Sequence, residues 1–235
     1  QNENNAKKVH IQTFGCQMNE YDTDKMLAVL RHENYFHTNY QEDADLIILN
    51  TCSIREKAEN RVFSELGRLR KLKSVNPELK IGVGGCVAQQ EGESILLREA
   101  NVDFVFGTDN LFELPEMLNK VSQGQKISQT ERHPRQKVRN FIPNYTFQQA
   151  RHFGIKAHLT ITKGCNNHCS FCVVPITRGP EVSREPEDIL AEAQQLISVG
   201  TKEICLLGQN VNSYKANGVD FVELLHRLDK LENLE

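Results

Sequence analysis

The sequence predicts an α/β protein in two parts. Residues 7–124 read as an open, mostly parallel α/β sheet, and residues 151–235 as the first part of a β/α barrel. Three observations carry this reading. Apolar runs such as DLIILN (45–50) show no polar alternation, as strands buried on both faces do. Between them lie amphipathic stretches near period 3.6. The strand–helix order then recurs on both sides of a stretch (125–150) where all patterning dissolves. Hydrophobic residues are 39% of the chain and charged residues 25%, which suffices for ordinary cores.

The elements follow in order. VHIQTF (9–14) is a strand that runs into Gly15-Cys16, and a helical pattern spans about residues 23 to 32. DLIILN is the second strand. A long amphipathic helix follows, with Ala58, Val62, Leu66, Leu69 and Leu72 on one face, stopping before Asn76-Pro77. KIGVGG (80–85) is a strand, residues 90–99 a helix, DFVFG (103–107) a strand and LFELPEMLNKV (111–121) a helix. This order predicts an open, mostly parallel, Rossmann-like sheet. GVGG is no phosphate loop, because it lacks the Lys-Ser/Thr ending. The linker holds Lys126, Arg132, Arg135, Lys137 and Arg139 against Glu131 alone, a basic bias that a solvated connector explains.

In the second part AHLTITKG (157–164) is a strand, 185–200 a helix ending at Gly200, EICLLGQN (203–210) a strand, and FVELLHRLDKL (221–231) a helix. A complete β/α barrel takes roughly 250 residues, so this one is expected to be incomplete at its C-terminal side.

Composition narrows the function classes. Net charge is −3, so whole-chain charge does not point to nucleic acid, and any such contact must come from local patches. No run reaches the roughly 18 apolar residues of a membrane span, and QNENNAKKVH lacks the apolar stretch of a secretory leader. Seven cysteines, an odd number without a leader, argue against a disulfide framework and for reduced thiols in the cytoplasm.

Three of those thiols share a phase. Cys16, Cys52 and Cys86 lie 36 and 34 residues apart, about one βαβ unit each. Each follows a predicted strand, in TFGC, LNTC and VGGC. Parallel strands present their carboxyl ends along one edge, where ligands bind, so the three thiols are expected to converge. Burial as ordinary core residues is the competing reading. It suits Cys205, inside EICLLG, better than cysteines at strand exits. Gly15, Gly84 and Gly85 are expected to let backbone approach a bulky ligand.

Three more thiols, Cys165, Cys169 and Cys172, crowd into GCNNHCSFCVVP (164–175). Structural zinc usually wants four ligands; His168 is available, but no second pair follows downstream. A 4Fe–4S cubane with three thiolates leaves one iron open. An electron carrier does not need that vacancy, whereas a catalyst does.

Cysteines with gaps of three and two residues, Phe171 just before the third, and a position after a first barrel strand together resemble the radical S-adenosylmethionine signature. With FGCQMNEYD, NTCSIREKAENRVF and VGGCVAQ ahead of it, the chain resembles the methylthiotransferase family from about Lys7 to Leu231. TCSIREKAENRVFSELGRLR, FCVVPITRG and LLGQNVNSY are most similar to its MiaB-type branch, which acts on tRNA.

The resemblance implies that Cys165, Cys169 and Cys172 hold the radical-generating 4Fe–4S cluster and that Cys16, Cys52 and Cys86 hold an auxiliary one. It implies S-adenosylmethionine as radical source and methyl donor. It implies methylthiolation of carbon 2 of isopentenyladenosine beside the anticodon of tRNA, with an electron donor and a sulfur donor as further partners and no membrane. The ribosomal-protein branch of the family and a non-catalytic iron–sulfur electron carrier are the alternatives. Phe171, Gln209 and Asn210 are candidates for the S-adenosylmethionine region, though a turn explains Gln209 and Asn210 equally well. Arg178 is a candidate substrate contact against a plain surface arginine. Arg55, Lys57, Arg61 and Arg68 are candidate phosphate contacts against a solvated helix face. Beyond the cluster ligands the sequence assigns no catalytic residue.

Overall fold

The computed structural model describes residues 6–53, 56–134 and 155–234, with the backbone alone for 56–60. The chain divides into two compact units, Gln1–Arg132 and His133–Glu235.

The first unit is built on six parallel strands: β1 (Lys7–Thr13), β2 (Tyr35–His37), β3 (Leu46–Thr51), β4 (Lys80–Gly85), β5 (Phe104–Phe106) and β6 (Ile127–Gln129). Their order is β2-β1-β3-β4-β5-β6, and every neighbouring pair is parallel. The connecting helices are α1 (Gln17–His32), α2 (Glu56–Val75), α3 (Cys86–Glu91), α4 (Glu93–Arg98) and α5 (Leu114–Ser122). β3 is buried at every position, which is why DLIILN carries no alternation. On α2, Val62, Leu66 and Leu69 recur three and four residues apart and pack with Ile47, Leu49, Ile81 and Val83. Each such buried side chain contributes about 1.5–3 kcal/mol.

The open parallel sheet is the one expected, with three additions. β2 is only three residues long and has one buried position, too short for periodicity to register. β6 falls in the stretch 125–150 that the sequence reading gave to the linker; its burial is intermediate or exposed throughout, so no apolar run marks it. α1 starts at Gln17, six residues before the apolar pattern does, because its first turns bury the polar Asn19, Asp22 and Thr23. The remaining linker residues Arg135, Lys137 and Arg139 lie outside the described residues, while Lys126 donates to the Ala100 carbonyl.

In the second unit β7 (Lys156–Thr160) pairs in parallel with β10 (Glu203–Leu207). The strand expected over 157–164 is interrupted at Ile161. Its continuation, β8 (Thr162–Lys163), pairs antiparallel with β9 (Val182–Ser183). A short α6 (Val174–Thr177) follows the cysteines, and α7 (Pro186–Ser198) and α8 (Phe221–Asp229) cover the sheet. A hairpin of β11 (Lys215–Ala216) and β12 (Val219–Asp220) precedes α8. Leu159, Ile161, Ile189, Ala193, Tyr214 and Leu224 form the core.

Arg184 fixes the interruption. Its backbone N–H donates to the Ile161 carbonyl at 2.9 Å and its guanidinium to the Thr160 carbonyl at 2.8 Å. The same guanidinium pairs with Glu192 of α7 at 2.8 Å, both side chains being 6% exposed or less. The Tyr214 hydroxyl then donates to the Arg184 carbonyl. Burial, with Glu185 and Glu187 nearby, raises the Tyr214 pKa well above the usual phenol value, so it stays a donor.

Candidate functional site

The first site grows from strand register. Thr13 pairs with Asn50, and Asn50 with Gly84, so β1, β3 and β4 finish level at their carboxyl ends. Cys16 comes three residues beyond that row, and Cys52 and Cys86 two residues beyond it. Neighbouring strands stand about 4.8 Å apart, so the exits of β1 and β4 are separated by about 10 Å. The chain leaves β1 for β2 on one side and reaches β3 on the other, which makes β1/β3 the topological switch point where open α/β sheets bind ligands. Cys16 and Cys52 flank that point. Cys52 and Cys86 are buried and Cys16 is half-buried.

Gly15 permits the close approach. Its φ is +116°, and a Cβ there would stand 2.2 Å from Cys52 Cβ and 2.6 Å from Cys52 Sγ. The other two glycines play a different part from the one expected. A Cβ on Gly84 would strike the Phe106 ring at 2.2 Å, and one on Gly85 the Thr51 carbonyl at 2.4 Å. Both serve packing within the sheet rather than access of a ligand. Three residues absent from the sequence reading belong to this edge: Asn19, Asn50 and Thr51, all fully buried and hydrogen-bonded among the strand exits. The polar break that Asn50 makes in an apolar run was the available signal.

The second site is a loop. Gly164, at φ +83°, leaves β8, and a Cβ there would lie 2.4 Å from the carbonyls of Gly179 and Pro180. Cys165 N–H donates to the Gly179 carbonyl at 3.0 Å, and Glu181 N–H to the Asn166 side chain at 2.9 Å, so both ends of the loop close on each other. Within it Asn167 N–H points at Cys165 Sγ at 3.4 Å, and Cys172 N–H donates to the Cys169 carbonyl. Cys169 is exposed, and Cys165 and Cys172 are half-buried.

Among the described residues no three His, Cys, Asp or Glu side chains are grouped to hold one metal ion. A zinc site would need its ligands about 2.0–2.3 Å from a shared centre. A cubane takes each thiolate on a separate iron and so accepts sulfurs spaced more widely. Thiols on three adjacent strand exits, with a glycine clearing the way to Cys52, fit that wider demand. Three thiols on one closed loop with a backbone N–H aimed at sulfur fit it as well.

The remaining candidates are placed as follows. Phe171 is 90% exposed beside Cys172, with Ile176 also exposed, so an apolar surface adjoins the cysteine loop. Gln209, at the end of β10, uses its side-chain carbonyl to accept from Gly164 N–H, which ties the second strand to the start of the loop. Asn210 opens a turn whose Ser213 hydroxyl donates back to its carbonyl. Arg178 is 3% exposed at the end of α6, not the surface arginine weighed against a substrate contact. His168 is exposed. Cys205, read as a core residue, is only half-buried in β10. On α2, Arg61 and Arg68 are exposed and Arg68 pairs with Glu65 at 3.2 Å. Arg55 and the Lys57 side chain lie outside the described residues.

Comparison with known proteins matches two separate regions of the chain. Residues 8–107 match the model of uncharacterized protein family UPF0004, and residues 159–234 that of the radical SAM superfamily. Curated relatives named tRNA-2-methylthio-N(6)-dimethylallyladenosine synthase include one from Janthinobacterium sp. (strain Marseille), 50% identical over 97% of this chain and 52% of the relative. Others are from Herminiimonas arsenicoxydans, 48% identical, and Ruegeria sp. (strain TM1040), 46% identical, with the same coverage. The chain thus spans about half the length of the relatives it matches. Among solved structures, the radical S-adenosylmethionine methyltransferase TsrM from Kitasatospora setae, with cobalamin and a [4Fe-4S] cluster bound, superposes with a TM-score of 0.57. That match covers 88% of this chain and 50% of the other at 14% identity, a likeness of fold alone. The chain thus carries a UPF0004 region and a radical SAM region, each with its own three cysteines, and is 46–50% identical to these synthases over 97% of its own length.

Proposed function

We propose that this chain carries both iron–sulfur sites of an enzyme that methylthiolates carbon 2 of isopentenyladenosine beside the anticodon of tRNA. The level ending of β1, β3 and β4 carries the reading, because it brings the exits that bear three cysteines scattered over 71 residues to one edge of the sheet. Cys165, Cys169 and Cys172 would hold the radical-generating 4Fe–4S cluster, and Cys16, Cys52 and Cys86 the auxiliary one. With S-adenosylmethionine bound, such clusters supply homolytic carbon–sulfur cleavage and a resting place for transferable sulfur.

The chain's own residues do the holding. Gly164 and Gln209 anchor the loop to both strands of the barrel sheet, and the exposed Phe171 offers an apolar face beside the open side of that loop. Gln209 is engaged with Gly164, so its part is to set the loop, with Asn210 shaping the turn after it. Arg178, 3% exposed, is not presented at the surface where a substrate would meet it. The names of the relatives support tRNA over a ribosomal protein as substrate. The chemistry also requires an external electron donor and a sulfur donor, and a reducing compartment such as the cytoplasm suits seven free cysteines. Among the described residues no helix is long and apolar enough to cross a membrane.

The test is methylthiolation by the full-length enzyme. Isopentenylated tRNA is expected to gain the methylthio group, and Cys86→Ala is expected to abolish the gain. Modification of a ribosomal protein instead of tRNA would overturn the substrate assignment.

A further inference from the structure

We propose that Asn19, Asn50 and Thr51 form a hydrogen-bonded brace that fixes the spacing of Cys16, Cys52 and Cys86, making them positioning residues of the auxiliary site. The inference rests on the reading of those cysteines as one ligand set.

The brace is continuous. The Cys16 thiol donates to Asn19 Oδ1 at 3.5 Å. Asn19 Nδ2 donates to the Thr51 carbonyl, one residue before Cys52, at 2.8 Å, and to the Phe14 carbonyl at 3.1 Å. Thr51 Oγ1 donates to the Gly84 carbonyl, two residues before Cys86, at 2.5 Å, and accepts from Ala88 N–H, two residues after it, at 3.4 Å. Asn50 Nδ2 closes the figure on the Asn19 carbonyl at 2.8 Å and on Thr23 Oγ1 at 3.0 Å. Every bond thus ends on Cys16 itself, on a residue one to three positions from one of the cysteines, or on α1.

The chemistry of the choice is informative. Asn19, Asn50 and Thr51 are all 0% exposed. An apolar side chain at the end of a buried strand would pack without cost, whereas a buried amide costs free energy unless all its hydrogen bonds are met. A fully met buried network holds one arrangement rigidly, since any shift leaves a polar atom unpartnered. Here the rigidity is delivered to three strand exits that carry thiols. A cubane offers fixed iron positions, so an edge already at the right spacing loses less order on binding.

The test uses the whole chain with Cys165, Cys169, Cys172 and Cys205 replaced by alanine, leaving only the three thiols in question. Thr51→Val removes the hydroxyl and keeps the shape; Thr51→Ser restores it. Two readouts are taken: bridging of thiols in the reduced, iron-free chain by dibromobimane, mapped by mass spectrometry, and retention of reconstituted iron against a chelator. Thr51→Val is expected to lower Cys52–Cys86 bridging and to weaken iron retention about tenfold, as loss of a ligand-orienting group does, with Thr51→Ser recovering both. Asn19→Ser, which keeps a polar group in the first turn of α1 but falls short of Thr51, is expected to do the same to Cys16–Cys52 bridging. Unchanged bridging and retention in both variants would overturn the brace. So would both variants unfolding by circular dichroism, since the network would then serve stability alone. If the parent chain takes up no iron, the cluster reading falls, and bridging alone decides the brace.

Discussion

Replacing Gly15 by alanine tests the link between the fold and the auxiliary site. The new methyl group meets two obstacles. At φ +116° an L-residue sits in a sparsely populated backbone region, a strain of about 1–3 kcal/mol. The methyl carbon would also stand 2.2 Å from Cys52 Cβ, where about 3.5–4.0 Å is normal between carbons. Cys52 cannot retreat freely, because Thr51 beside it is held by Asn19 and by Gly84. The turn at Gly15 must therefore move outward by more than an ångström, and Cys16 moves with it. We expect a loss of about 2–6 kcal/mol, combining the strain with overpacking of about 1–3 kcal/mol. Urea unfolding of the full chain reads the stability and anaerobic reconstitution reads the iron. Iron is expected to fall from about eight to about four per chain on the two-cubane count, the remainder held by the Cys165 set. Gly15→Ala with unchanged stability and about eight irons would refute the close approach as the reason for glycine here.

Arg184→Met strands Glu192 without its partner and is expected to destabilise the second unit by about 3–5 kcal/mol in urea melts, while the Arg184→Met/Glu192→Leu pair recovers most of the loss. Gln209→Ala removes the acceptor for Gly164 N–H, so exchange of that amide should accelerate by the equivalent of about 1 kcal/mol, measured by hydrogen exchange on the iron-free chain. Chelating the iron from reconstituted protein should lower Tm, because ligands that bind only the folded state stabilise it by mass action. An unchanged Tm would mean that the thiols hold no iron in the folded chain.

How far the sequence reaches depends on what each residue answers to. β3 and the buried stripe of α2 were legible because burial alone dictates their residues, and burial has a period. The placing of Cys16, Cys52 and Cys86 at the exits of adjacent strands was legible because topology alone puts parallel strand exits on one edge. β6 was not, since an edge strand of three residues with no buried position needs only backbone partners. Asn19 and Thr51 were not either. Their identities answer to hydrogen bonds spanning residues 19 to 51 and 51 to 84, which no local window contains. The second role of glycine was similarly hidden: Gly84 makes room for Phe106, a partner 22 residues away.

The central claim is that the chain holds two independent three-thiolate clusters, and iron stoichiometry in paired variants tests it most directly. Wild type should bind about eight irons per chain by the two-cubane count. Cys16→Ala/Cys52→Ala/Cys86→Ala should bind about four, and Cys165→Ala/Cys169→Ala/Cys172→Ala the complementary four or so, each with its own electron paramagnetic resonance signal. Wild-type binding of only about four irons, or full retention in either triple variant, would contradict the account.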